Sequence, residues 1–515
     1  MAASESILAV PEVTPSERSH VLRDASEPGR GQVIYWLQQA QRERDNPALE
    51  HALALAARWE RPLEVVFGLD PDYPGGTLRA FVFMLEGLRD VRERLRERGI
   101  AFTCRLGKPD ETALRASEGA AALVCDRGYL RHQRVWRERV GREAGCGVVE
   151  IEGEVVVPVA VASEKLEYAA RTLRPKLRRE LERFASLPPR VSVTKPTKGG
   201  ARSGAGGRSD GSLPDSGLPD SGLSDSGLSD SGQEDVTDQL DDPLALARRL
   251  RVDERAGPVS DWFRGGQDAA AEALERFIRG GLSEYDRLRN QPQFDAVSYL
   301  GMYLHFGQVS PLRVLREVRR SAEGAGAPNE AVASFVEELV VRRELAVNHA
   351  WYQRDYDSYD ALPEWARRTL DEHAGDEREH DYGAAALEAG ETHDRYWNAA
   401  MREMRETGYM HNYMRMYWGK RILAWSAEPR AGFELTRTLN DRYFLDGRDP
   451  NSYANVAWVY GRHDRPWPER PVFGKVRSMV AAGLERKGDP DAYVAKVERR
   501  VSSRSLEVHA GDAAP

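Results

Sequence analysis

Residues 407–425 read TGYMHNYMRMYWGKRILAW, and this stretch decides the fold of the second half of the chain. Placed on an α-helix, Met410, Tyr413, Met414, Tyr417, Trp418, Ile422 and Trp425 recur at i, i+3, i+4 and i+7, the spacing that gathers apolar side chains into one broad stripe. The spacing predicts a helix sunk in a core. An ordinary core, however, favours Leu and Ile, which leave no indole N–H in need of a partner. Trp418 and Trp425 share the apolar face, whereas Arg415 and Met416 point away from it. On spacing alone a core helix remains the favoured reading, but that chemistry strains it.

On both sides of the stretch the pattern stays helical. Amphipathic segments at 268–280, 295–305, 311–320, 329–354, 363–373, 394–406, 409–426 and 469–482 are separated by loops such as LDGRDPNSYAN, which predicts one all-α domain over 241–485. Seven tryptophans, Trp351, Trp365, Trp397, Trp418, Trp425, Trp458 and Trp467, follow residue 340. Indoles at that density suit an aromatic cofactor or stacked bases as well as packing.

The first half alternates differently. VIYWLQ, PLEVVFGLD, IAFTCRL, AALVCDRGY and VVEIEGEVVVP are short apolar runs separated by longer amphipathic segments, the signature of a parallel sheet wrapped by helices. This predicts an α/β domain over 30–160, preceded by a disordered acidic tail at 1–29. No G-x-G-x-x-G follows the first strand, so a ligand here must be held in another way, beyond the carboxyl ends of the strands. A helical connector is expected at 161–187. Residues 188–240 are rich in Gly, Ser, Asp and Pro and carry LPDSG, LPDSG, LSDSG and LSDSG between 213 and 232, which predicts a solvated insertion, because such residues cannot offset their ordering entropy. Residues 486–515 read as a tail.

Net charge is -8, which argues against a chain that binds polyanions by bulk charge but allows a local basic groove. Three cysteines without metal spacing predict reduced thiols and no metal site. No run of 18 apolar residues occurs and the N-terminus lacks a signal peptide's apolar centre, so a cytoplasmic protein with no membrane contact is expected. A monomer is expected.

Several long motifs in one order, RLRNQPQFDAVSYLGMYLHFGQ, FVEELVVRREL, THDRYWNAA, YMHNYMRMYWGKRILAW, LNDRYFLDGRDPN and HDRPWPER, closely resemble class II cyclobutane pyrimidine dimer photolyases, over roughly residues 30–485. The resemblance implies an α/β antenna domain of Rossmann-like form and a helical domain holding FAD. It implies light-driven repair of pyrimidine dimers in ultraviolet-damaged DNA, with an antenna chromophore of the 8-hydroxydeazaflavin type or none. A cryptochrome-like FAD photoreceptor without repair activity is the alternative, and a pure sensor has no need of a lesion pocket.

Position by position, the resemblance makes Trp418, Trp397 and Trp425 an electron-hopping chain that reduces the flavin from the surface. It makes Asn440 the amide facing the flavin, with Tyr285, Ser298, Leu300, Gly301, Asp446 and Asp449 as further FAD contacts. Glu338 becomes the carboxyl group that hydrogen-bonds the flipped bases. Met416, Trp458 and Trp467 become apolar walls, and Arg289, Asn290, Arg415 and Arg465 the polar edge and phosphate contacts. The chain departs from the family at 297–302, where VSYLGM stands in place of a Ser/Leu-rich segment. Without the resemblance, Glu338 and Arg342 are equally a surface pair at i, i+4.

Overall fold

A computed structural model describes residues 6–196, 233–323 and 326–511. The DSG repeats lie outside these residues. Strands β1 (Ser19–Arg23), β2 (Val33–Trp36), β3 (Leu63–Leu69), β4 (Ala101–Leu106), β5 (Ala122–Asp126) and β6 (Val148–Ile151) form one sheet in the order β1-β6-β5-β2-β3-β4. All neighbours run parallel except β1, which pairs antiparallel with β6. Both faces are covered by helices, so β2, β5 and β6 are wholly buried and largely apolar.

The direction of strand order reverses between β2 and β5. There the Asp126 carboxylate, at the end of β5, accepts the Tyr35 hydroxyl at 2.8 Å and the backbone N–H groups of Gln38 and Gln39 at 2.9 and 3.0 Å. That one side chain folds the loop after β2 over the carboxyl edge of the sheet, the place where open α/β sheets bind ligands.

Three expected boundaries move. Residues 6–29 are not a disordered tail: β1 closes one edge of the sheet, and Leu8 and Val10 are buried. Both described ends of the insertion dock on the α/β domain, through Val191, which accepts from Arg98 and donates to Glu50, and through Val236 and Leu240, which are fully buried. The next helix, Pro243–Arg249, packs Leu246 and Ala247 into the same core, so the helical domain starts after it. At the other end, 486–515 is not a simple tail. Helix Pro490–Gly511 packs Tyr493, Val497 and Val501 against the core that contains Trp397 and Trp418. Apolar residues at i, i+4 and i+8 explain that docking.

The two domains are joined by buried polar contacts. The Arg79 guanidinium donates to the carbonyls of Met404 and Tyr443 at 3.0 and 2.8 Å, and the Glu344 carboxyl accepts from Val156 N–H at 2.6 Å. No helix among the described residues is long and apolar enough to cross a membrane.

Candidate functional site: a basic cleft backed by tryptophans

Helix Asn412–Trp425 is capped by His411, whose Nδ1 accepts from Tyr413 N–H at 3.2 Å. Every member of its apolar stripe is buried. Its other side carries Asn412, Arg415 and Met416 at i, i+3 and i+4, and these face an open cleft of about 590 Å³. Pockets for drug-sized ligands span roughly 300–1,000 Å³, and this open cleft falls within that range.

Tyr285, Arg289 and Asn290 border the cleft on one side, and Ser298, Leu300 and Gly301 on another. The divergent segment is tightly held. Tyr299 adopts a left-handed backbone (φ 55°), costly for a bulky residue, and is anchored by its hydroxyl to Asp295 at 2.6 Å and by ring packing on Tyr409 at 4.7 Å. A Cβ on Gly301 would meet the Asp446 carboxylate at 2.8 Å. Glycine at 301 lets the backbone approach that acid.

Glu338 lies on a π-helical turn, Glu337–Arg342, a geometry that often marks functional sites. The turn breaks the α-helical i, i+4 register, so Glu338 pairs with Arg289 at 2.5 Å while Arg342 sits 3.5 Å from Glu337. The surface pair between Glu338 and Arg342 does not form. Across the cleft stand Met416 and Trp458, and Arg415 pairs with Asp446 at 2.8 Å while its guanidinium lies 3.8 Å from the Phe444 ring centre.

Four expected residues lie elsewhere. Asn440 donates to Asp441 at 3.0 Å and Ser452 at 2.6 Å and does not border the cleft; Asn412 does. Asp449 caps helix Pro450–Val459, accepting from Asn451 N–H at 2.8 Å, and pairs with His305 at 3.2 Å. Burial opposes its ionisation, yet the hydrogen bond and charge of His305 hold its carboxyl below the ordinary range. Between Asp446 and Asp449 the chain reverses at Arg448 (φ 59°), which turns Asp449 toward a second cavity. Arg465 and Trp467 stand outside the cleft, where the Trp467 indole donates to Asp464 at 3.3 Å. Arg477, which sequence reasoning missed, bridges the two zones: its guanidinium lies 5.9 Å from the Trp458 ring centre and 5.0 Å from that of Trp467.

Behind the cleft, Phe444 lies edge-on to Trp418 at 6.2 Å, the Trp397 indole donates to the Trp418 carbonyl at 3.0 Å, and Trp397 meets Trp425 at 5.4 Å. Trp425 is itself buried under Tyr382 and His393, so the outer end of the series is covered.

The second cavity, about 100 Å³, lies off the carboxyl ends of β2, β3 and β5. Gln38, Gln41, Phe67, Tyr73, Leu304 and Asp449 are among its walls.

Residues 33–196 match the DNA photolyase family. The chain is 41% identical to the deoxyribodipyrimidine photo-lyase of Methanothermobacter thermautotrophicus, over 90% of this chain and 94% of that one. It is 38% identical to the rice (Oryza sativa subsp. japonica) deoxyribodipyrimidine photo-lyase, over 91% of this chain and 88% of the relative. In fold it is similar to a class III photolyase from Agrobacterium tumefaciens, with TM-score 0.64 at 20% identity over 92% of this chain and 87% of that one. An α/β sheet domain joined to a helical domain with a central cleft is thus the photolyase type of architecture. At the identity and coverage shared with the archaeal and rice enzymes, the chain belongs to the DNA photolyase family.

Proposed function

We propose that this protein is a deoxyribodipyrimidine photo-lyase of the class II kind, which uses light absorbed by a bound FAD to split cyclobutane pyrimidine dimers in ultraviolet-damaged DNA. The observation that carries the proposal is the cleft itself: a carboxyl–guanidinium pair and an indole wall face one opening, and a tryptophan series lies directly behind it.

The residues present fit FAD. The cleft is open, Gly301 leaves backbone accessible where a side chain would collide, and Ser298, Asn412, Arg415 and Asp446 supply donors and acceptors for a flavin and its diphosphate. Bound and reduced, FAD would supply the light-driven electron transfer that splits the dimer. The protein's share is binding and placement. Arg289 fixes the Glu338 carboxyl at the opening, where it can hydrogen-bond base carbonyls and stabilise charge that develops on them. Met416 and Trp458 offer apolar surface to bases turned out of the duplex, a move made easier by weakened stacking at a lesion. Trp425, Trp397 and Trp418 conduct an electron inward. An antenna chromophore would lie at the second cavity, at the carboxyl edge of the sheet, where Gln38, Gln41 and Tyr73 offer polar contacts.

Illumination of the reduced protein with an irradiated thymine-rich duplex should reverse its dimers, and darkness should not. Glu338→Ala should lower the repair yield while leaving the flavin bound. Failure of flavin-loaded, reduced parent protein to repair in light contradicts the proposal and favours a sensor.

A further inference from the structure

Lys420 is fully buried on helix Asn412–Trp425, one residue past a close helix crossing: a Cβ on Gly419 would meet Val459 at 2.8 Å. A buried lysine is expensive unless something answers its polar head. Here the ammonium group donates to the carbonyl of Val459, the last residue of helix Pro450–Val459, and lies 5.3 Å from the Trp458 ring centre. Burial pushes the Lys420 pKa down to about 7, so the main contact is the N–H bond to an orphan helix-end carbonyl, which either protonation state makes. The charged form adds contacts with the helix dipole and the indole. Trp458 is the only side chain of that last turn that borders the cleft. The charged groups facing Lys420 are Asp464 and Arg477, both also at the cleft.

Resting on the photolyase function proposed above, we propose that Lys420 is a positioning residue for lesion capture: from beneath the cleft it caps the helix end that carries Trp458 and holds that indole as a fixed wall for the turned-out bases. Lys420 touches neither lesion nor flavin. Its effect appears in the discrimination between damaged and undamaged duplex, because undamaged DNA keeps its bases stacked and does not reach Trp458.

The test measures binding of a dimer-containing duplex and its undamaged twin to flavin-loaded Lys420→Met and Lys420→Gln. Methionine keeps length but removes the donor; glutamine keeps a shorter donor. Lys420→Met should lose about tenfold in affinity for the damaged duplex, and Lys420→Gln about two- to fivefold. Affinity for the undamaged duplex and flavin content should be unchanged in both. Equal losses on both duplexes, or discrimination in both variants matching the parent, overturn the proposal. If Lys420→Met does not fold, Lys420→Gln decides alone, and discrimination equal to the parent's refutes the role. A parent that never discriminates damaged DNA counts against the photolyase function instead.

Discussion

The cleft and the second cavity are built from the same two segments yet have opposite characters. Residues 298–302 border the cleft and 304–306 the second cavity; Asp446 faces the first, Arg448 and Asp449 the second. The cleft is wide, open and rimmed by arginines, suited to a polyanion that must enter and leave. The second cavity is about a sixth as large and mixes aromatic rings with glutamines. A reversal of three residues, at Arg448, separates the two.

If that division is right, variants should separate cleanly. The largest effect is expected behind the cleft: Trp418→Phe should abolish light-driven reduction of the flavin while chemically pre-reduced enzyme repairs at the parent rate. Equal loss of both would remove Trp418 from the electron route. Within the cleft, Trp458→Ala should weaken binding of the damaged duplex by about 1–3 kcal/mol, the usual worth of stacking one base on an aromatic ring, with native absorption unchanged. In the second cavity, Met84→Trp fills space at its wall. It should displace any antenna chromophore and lower repair only under dim light; reduced repair at saturating light would show that the two cavities are not independent.

A last effect concerns the joint between domains. Burial pushes the Glu344 carboxyl up to about 8, against the pull of its backbone donors. A raised carboxyl makes the folded state bind more protons than the unfolded chain from about pH 4.5 to 8, so its stabilising contribution is full below that window and lost as pH rises through it. Glu344→Gln stays neutral and should flatten this part of the stability profile in denaturant unfolding; an unchanged slope would locate the titration elsewhere.

The fold was legible because burial writes itself into period. Five apolar runs marked the parallel strands, and the stripe from Met410 to Trp425 marked the central helix. What escaped were features with no period. β1 is an edge strand of mixed exposure, which in sequence looks like polar tail. The final helix shows its apolar spacing only over a few turns beyond a Gly and Pro break.

The family resemblance pointed to Arg415, Met416 and Trp458, which project from regular elements and border the cleft. The site was opaque at turns. Nothing in LDGRDPN announces that Arg448 reverses the chain and sends Asp449 to the other cavity. Asn412 sits at the first position of its helix, just after the capping His411, and no motif in the sequence singles it out for the cleft. Arg477 belongs to a loop whose approach to Trp458 depends entirely on tertiary folding.

The central claim is that the cleft between Gly301, Asn412 and Asp446 holds a flavin. Flavin content per chain, measured for the parent and for Gly301→Val after incubation with excess FAD, tests it most directly. One FAD per parent chain and none on the folded variant is the predicted result; a folded parent that stays colourless, or a variant that binds FAD as well as the parent does, would contradict it.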